Sequence, residues 1–349
     1  MLFLQKNQKM MSRLLVISAM VLLLLQSAAV CAQSMESGHL YAVLVNGGRN
    51  RLTNHERYWN DCAFLYRTLR QTFRIPKRNI TVLMSDGGNP AEDMLRTDGQ
   101  GFISSSTDLD GDGQADVNYP ATTEAFANVL LSMSRRLNEY DHLFLYFIDH
   151  GGTYGISEDS YVWLWNDEKL NDYFLASLLN RFRVGSINIL MGQCYSGGFV
   201  SDLMDEGRVI ATACSGKERS SKCPDRAYDE FVYQWTCAVK GADEMGNPVY
   251  ADTNRDGEVS MLEAFQYAQA HDRVPETPQY ASWPEQLGQQ WTFTHAYLGT
   301  LGVEEVKSEE KNSEKVSAIW SVSGVRQQDI KAHSVYIERR GGKVRKIVR

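Results

Sequence analysis

The stretch that decides the fold is Leu143-Phe144-Leu145-Tyr146-Phe147-Ile148-Asp149-His150-Gly151-Gly152. An unbroken apolar run that stops at a polar, glycine-rich turn describes a strand buried on both faces, the habit of parallel sheets. Similar runs occur at Leu40 to Val45, Ile80 to Met84, Ile187 to Met191 and Arg208 to Ala213. Between them, Trp59 to Thr72, Thr122 to Leu137 and Asn171 to Arg181 carry the apolar spacing of amphipathic helices. Thr122 follows Pro120 as an N-cap, with Glu124 in the favourable first turn. Alternating strands and helices imply an α/β fold around a mainly parallel central sheet.

Working outward, the chain has 349 residues and 43% hydrophobic content, enough for a sizeable core in one large or two ordinary domains. Its net charge is -7 and no basic stripe with interleaved aromatics occurs in the main body, so nucleic acid is not an expected partner. Lys6, Lys9 and Arg13, then the apolar run Leu14 to Leu25, then small residues up to Val30-Cys31-Ala32, read as a secretory signal peptide over residues 1–32, with a membrane anchor as the alternative. The expected location is outside the cell or on the outer-membrane surface, with the periplasm as alternative. An oxidising compartment permits disulfides, and Cys62, Cys194, Cys214, Cys223 and Cys237 remain after cleavage. An odd count leaves at least one free thiol, either an intermolecular partner or a reactive group. Zinc is disfavoured, because no Cys-x-x-Cys or His-x-x-x-His pair is present.

Two strands end in glycine-rich turns, and ligands of open α/β sheets gather at such carboxyl ends. One carries His150; the other runs into Gly192-Gln193-Cys194-Tyr195-Ser196-Gly197-Gly198. If the strands are neighbours, His150 and Cys194 face each other. A thiol near its reference pKa of about 8.5 is mostly protonated at neutral pH, so an adjacent imidazole serves as base and later as acid. Glycines beside both residues leave N–H groups uncovered for an oxyanion, with Gly151 and Cys194 as the expected donors.

Phe147-Ile148-Asp149-His150-Gly151-Gly152, Cys194-Tyr195-Ser196-Gly197 and Arg57-Tyr58-Trp59-Asn60-Asp61-Cys62 resemble the legumain family of caspase-like cysteine peptidases. The resemblance covers about Leu40 to Val239. It implies a caspase-like α/β/α sandwich, a peptide or protein substrate, a Cys194–His150 dyad, and Gly151 in the oxyanion hole. Legumains also use an Asn to orient the histidine; Asn54 is its nearest counterpart here, although an ungapped match puts His55 at that place. An arginine of the specificity pocket corresponds to Arg57, and Ala213-Cys214-Ser215 with Glu218 to Ser221 resemble the later pocket wall, which makes Ser215 a substrate-binding residue. The acidic residue that follows the legumain nucleophile is replaced by Tyr195, which puts cleavage after Asn in doubt. The family includes a transamidase as well as hydrolases. A fold that kept calcium binding and lost catalysis is a further alternative.

Asp252-x-Asn254-x-Asp256-Gly257-Glu258-x-Ser260-x-x-Glu263 fits the calcium loop of an EF-hand at every position, with Glu258 contributing its carbonyl. The helix Met261 to Ala270 is expected to follow. A second run, Asp108-x-Asp110-x-Asp112-Gly113-Gln114-x-Asp116, begins the same way but has Tyr119 where the closing Glu belongs. A structural Ca2+ requirement is the expectation, at the roughly 0.1–1 mM affinity of extracellular modules.

Residues 33–302 are expected to form the peptidase domain. Residues 303–316 read as a charged, solvated linker. Residues 317–349, with the runs Ile319 to Val322, Val335 to Ile337 and Val344 to Val348 and turns at Ser323-Gly324 and Gly341-Gly342, read as a small β unit. This tail resembles the C-terminal sorting domains of exported Bacteroidota proteins, which implies outer-membrane export machinery as a partner; a capping β unit is the alternative. The sequence leaves the oligomeric state open.

Overall fold

Strand Leu40–Asn46 (β1) lies beside Ile80–Met84 (β2) on one side and His142–Ile148 on the other, because alternate residues of all three have an apolar layer to enter on each face. The computed structural model describes residues 38–155 and 159–294, and the backbone of 316–321, 326–327, 335–340 and 343–348. The expected signal peptide and the expected linker up to residue 315 therefore lie outside the described residues.

After β2 come the short pair Met94–Leu95 (β3) and Phe102–Ile103 (β4), then Val117–Tyr119 (β5), the strand His142–Ile148 (β6), and a hairpin sheet of Gly151–Thr153 (β7), Ser160–Leu164 (β8) and Glu168–Asn171 (β9). Ser186–Met191 (β10), Arg208–Thr212 (β11) and Gln279–Trp283 (β12) follow. The central sheet has seven strands in the order β12-β11-β10-β6-β1-β2-β5, parallel throughout except for the antiparallel edge β12.

Helices Glu56–Arg67 (α1), Thr123–Arg136 (α2), Asp172–Leu179 (α3), Val200–Leu203 (α4), Glu230–Lys240 (α5), Met261–His271 (α6) and Glu285–Gln290 (α7) complete this unit. Ala42, Leu44, Phe144, Tyr146 and Ile148 pack under α1, α5 and α6, with Trp235 and Phe265 among their neighbours. Val43, Val45, Leu143, Leu145 and Phe147 pack under α2 and α3. The result is an α/β/α sandwich with a core on each side of the sheet. Each fully buried Leu or Phe adds about 2 kcal/mol of transfer free energy, which ties the helices to the sheet. No helix among the described residues is long and apolar enough to cross a membrane.

α1 starts three residues before the expected Trp59, and the last part of the expected helix, Thr68–Thr72, is a π-helical turn that follows α1. Thr122 does cap α2, accepting from the Ala125 N–H. The chain crosses to opposite sides of β1 in its two halves, so a crevice opens at the carboxyl ends of β1 and β6. The second compact unit, residues 302–349, holds an antiparallel sheet in which Val316–Ser321 (β13) lies between Arg326–Gln327 (β14) and Val335–Arg340 (β15), with Lys343–Val348 (β16) at the edge beyond β15. The turns expected at 323–324 and 341–342 lie outside the described residues.

Candidate active site

Phe147 of β6 is level with Met191 of β10, and the Gly192 N–H donates to the Phe147 carbonyl at 2.8 Å. His150 and Cys194 each come three residues later, so the two neighbouring strands deliver them to one crevice. The next residue must be glycine: a Cβ on Gly151 would lie 2.1 Å from the Cys194 carbonyl oxygen.

His150 is half-buried, with Nε2 2.9 Å from the Thr53 carbonyl oxygen. A carbonyl can only accept, so Nε2 carries the proton and Nδ1 presents its lone pair. The Tyr58 hydroxyl lies 3.3 Å from that Nδ1 and accepts from Arg57 Nη2 at 2.9 Å, which turns its own proton toward His150. Burial of Tyr58 pushes its phenol far above the ordinary value, so it stays a donor. His55 meets His150 edge-on at 5.4 Å between ring centroids. Burial lowers the His150 pKa, the Thr53 contact opposes this, and the Arg57 and Arg49 charges add to the lowering.

Cys194 alone among the five described cysteines is partly exposed, and none of the five is in a disulfide. Burial pushes the thiols of Cys62 and Cys237 up to about 12 and that of Cys214 to about 11, which leaves them unreactive. The Cys194 sulfur lies 3.7 Å from Ser220 Oγ and 3.8 Å from the Ser220 carbonyl, and no hydrogen bond joins it to His150 among the described residues. Tyr195, in the left-handed region at φ 59°, turns the chain sharply into the helical turn Ser196–Phe199. The Tyr195 N–H donates to the Glu218 carbonyl and the Gly197 N–H to that of Cys214, both at 2.9 Å, so the segments around Cys214 and Glu218 lie beside the Cys194 turn. The Ser215 N–H is held by Glu218 Oε1 at 2.9 Å. Because the Trp163 N–H bonds the His150 carbonyl, Gly151 opposite Val162 falls at a non-bonded pair and its N–H points away from β8. The Cys194 N–H also makes no hydrogen bond among the described residues, so both expected oxyanion donors are uncommitted.

Arg57 ion-pairs with buried Asp229 at 3.0 Å and also lies over the Tyr58 ring at 4.4 Å. Burial works against its charge, and Asp229, with Tyr58 and Asp61, outweighs this and holds the guanidinium above its ordinary value. Asp61 accepts the Asp229 N–H at 3.0 Å, and burial beside the Asp229 charge pushes its carboxyl well up, while the Asp229 carboxylate serves Arg57. Asn54, expected to orient His150, is turned elsewhere: its Nδ2 donates to Ser85 Oγ at 2.8 Å and the Asp93 carbonyl at 2.9 Å. It is buried against Gly48 and Ser85, which keeps it out of the crevice. The neighbours on either side of Asn54 reach the imidazole instead, Thr53 by its carbonyl and His55 by its ring.

The two acidic loops fold alike. In each, the first Asp accepts from the sixth residue, Gly113 to Asp108 at 2.8 Å and Gly257 to Asp252 at 2.9 Å. Asp110 and Asn254 accept from the N–H groups of Asp112 and Asp256, and those two residues accept from Gln114 and Glu258. Glu263 accepts from Thr253 N–H at 3.0 Å and forms a capping box with Ser260 at the start of α6. In the first loop Asp116 takes that part, accepting from Leu109 N–H at 2.8 Å, so this hydrogen bond does not require a Glu at the place of Tyr119. Asp108, Asp110 and Asp116 bring carboxylate oxygens within 4.8 Å of one another, the one such set among the described residues. Asp116 is also bonded by Tyr66 Oη at 2.7 Å and Lys77 Nζ at 2.6 Å.

Sequence reasoning missed four participants. Thr53 acts through a backbone carbonyl, which no side-chain pattern reveals. Tyr58 and Ser220 lay inside quoted motifs without a role, and Asp229 is marked only by its place just before α5.

No curated protein matches the chain. A solved structure of the Geobacter sulfurreducens protein GSU0716 is similar at 14% identity, over 70% of this chain and 92% of that one, with a TM-score of 0.41, too low a likeness to bear on fold or function. Residues 40–241, more than half the chain and including the strand ends with His150 and Cys194, match the Peptidase C13 family. On that match the chain belongs to the Peptidase C13 family, the legumain family of cysteine peptidases.

Proposed function

We propose that the chain is a secreted, calcium-stabilised cysteine endopeptidase in which Cys194 attacks the scissile carbonyl and His150 moves the proton. The family supports a cysteine peptidase or transamidase. What carries the finer reading is the His150 tautomer: Nε2–H is spent on Thr53, so the Nδ1 lone pair, which at rest accepts from the Tyr58 hydroxyl, is the base. The thiol proton passes to Nδ1, sulfur bonds to the carbonyl carbon, and the N–H groups of Gly151 and Cys194 face the resulting oxyanion. Collapse expels the amine, which takes the proton from His150, and leaves a thioester on Cys194. Water, deprotonated by His150, then releases the acid; an amine in its place would give the transamidase outcome.

Calcium would be held by Asp108, Asp110, Asp112, the Gln114 carbonyl and Asp116, and by Asp252, Asn254, Asp256, the Glu258 carbonyl, Ser260 and Glu263. Their oxygen-only donor sets suit a hard cation. Its role would be to tie down both loops. Residues 1–32 as a cleaved signal and 317–349 as a sorting tail complete the proposal, with export machinery as the partner. The deciding test treats purified protein with an electrophilic peptide probe and a mixed peptide pool in millimolar calcium. Labelling at Cys194 and cleavage that both vanish in His150→Ala are expected; an unlabelled Cys194 with an intact pool would sink the reading. Added amines that appear in ligated products would move it to transamidation.

A further inference from the structure

The catalytic histidine is also part of a surface. Its carbonyl accepts from Trp163 N–H at 2.9 Å, so His150 is the cross-strand partner of Trp163, as Gly152 is of Tyr161. Directly opposed residues of an antiparallel pair project to the same face. The other face of β8, with Ser160, Val162 and Leu164, is buried; Tyr161 and Trp163 are on the half-exposed one. β9 adds Lys169 opposite Trp163 and Asn171 opposite Tyr161.

On this face the rings form a ladder, Tyr154 to Tyr161 at 4.9 Å and Tyr161 to Trp163 at 5.2 Å between centroids. The Lys169 ammonium lies 4.1 Å from the Tyr161 ring centroid, 4.7 Å from that of Trp163 and 5.0 Å from that of Tyr154. The Arg49 guanidinium covers Trp163 at 4.3 Å. Gly152 lets the Tyr161 ring lie directly on the β7 backbone two residues from His150, since a Cβ there would lie 2.5 Å from the Tyr161 hydroxyl. Of the carboxylates nearby, Asp167 is engaged by Arg49 and Asn50, and Glu168 by the Thr123 N–H. Lys169 has no carboxylate within ion-pair distance among the described residues.

We propose that this face is the docking surface for the leaving segment of the substrate, and that Lys169 selects segments with an acidic side chain shortly after the scissile bond. The inference rests on the peptidase reading above. In that chemistry the acyl part stays on Cys194 while His150 hands its proton to the departing amine, so the segment beyond the amine starts at His150. The surface that continues from His150 is the aromatic one, with an ammonium steered by three rings and without an anion partner among the described residues. Flat rings support an extended backbone and tolerate many side chains, while the ammonium supplies the discrimination.

The test uses internally quenched peptides randomised before the bond, with Glu, Gln or Lys in the first three positions after it. For the parent, kcat/KM with Glu should exceed that with Gln about fivefold, the scale of a partly exposed ion pair, and the ratio should fall with added salt. It should drop to about one in Lys169→Gln and invert toward Lys peptides in Lys169→Glu. A parent ratio of one, or a ratio that survives Lys169→Gln, overturns the proposal while leaving the peptidase intact. If no peptide is cleaved the peptidase reading fails separately, and binding of the same peptides to the Cys194→Ala protein decides this one. Equal affinity for Glu and Lys peptides there overturns it; tighter binding of Glu peptides that depends on Lys169 upholds it.

Discussion

The Thr53 carbonyl and His150 Nε2 are 2.9 Å apart, and this one contact sets the direction of every proton in the crevice. It assigns the proton to Nε2, leaves Nδ1 as acceptor, and so makes the Tyr58 hydroxyl a donor to His150 and an acceptor from Arg57.

Tyr58→Phe should therefore change the pH profile and not only the rate. The Tyr58 hydrogen bond favours neutral imidazole, so its loss raises the His150 pKa toward the ordinary value of about 6.5. The acid limb of kcat/KM should move to higher pH, with a loss of about fivefold at pH 6. A uniform fall in rate across pH would mean that Tyr58 only fills space.

Gly151→Ala should cost at least about 100-fold in kcat, because the new methyl meets a backbone carbonyl and shifts an oxyanion donor. Circular dichroism and the melting temperature establish that the variant is folded. Near-parental turnover would place the Cys194 carbonyl elsewhere.

Asp229→Asn removes the partner of a mostly buried guanidinium. Chemical denaturation should report a loss of about 3 kcal/mol, the usual result of stranding one member of a buried pair. A change below about 0.5 kcal/mol would show that the pair behaves as a surface one.

Glu276 receives the Ser221 N–H at 2.6 Å beside the pocket wall, and burial, with the Asp272 charge next, pushes its pKa up to about 9. A carboxyl raised on folding stabilises below its unfolded pKa of about 4.5, and that stability is lost as pH climbs through 9. Glu276→Gln cannot titrate, so the parent-minus-variant stability should decline from pH 5 to pH 9. A flat difference would show that Glu276 is ionised at neutral pH.

With a Kd near 1 mM at each of the two sites, about 10 mM calcium should stabilise the protein by about 1.4 kcal/mol per site, about 2.8 kcal/mol together, raising Tm by several degrees. Asp116→Asn and Glu263→Gln should each remove part of that increment. A parent melting curve identical in calcium and chelator would discard both sites.

Much of the frame was legible because its strands are uninterrupted apolar runs: Ile80–Met84 was read with the bounds it has, and Leu40, Met191 and Arg208 begin or end strands where expected. β12 escaped because Gln279–Trp283 is half-buried along its whole length and shows neither an apolar run nor alternation. α5 escaped because Phe231 to Tyr233 and Trp235 to Val239 are buried nearly all round, which removes the polar face that marks a surface helix. At the site, residue types pointed to Cys194 and His150, but counting cysteines did not help, since every described thiol is free and exposure is what separates them. Asn54 was chosen for its chemistry, and backbone geometry gave the task to its neighbours.

The left-handed turn at Tyr195 also limits how the crevice can be re-tuned by mutation. The residue after the nucleophile is free to alter the crevice only within the set that accepts a positive φ: glycine, asparagine and aspartate easily, β-branched residues at real cost. Exchanging Tyr195 for Asn or Asp is open in a single step of low strain, whereas Val, Ile or Thr would first need the turn itself to be rebuilt.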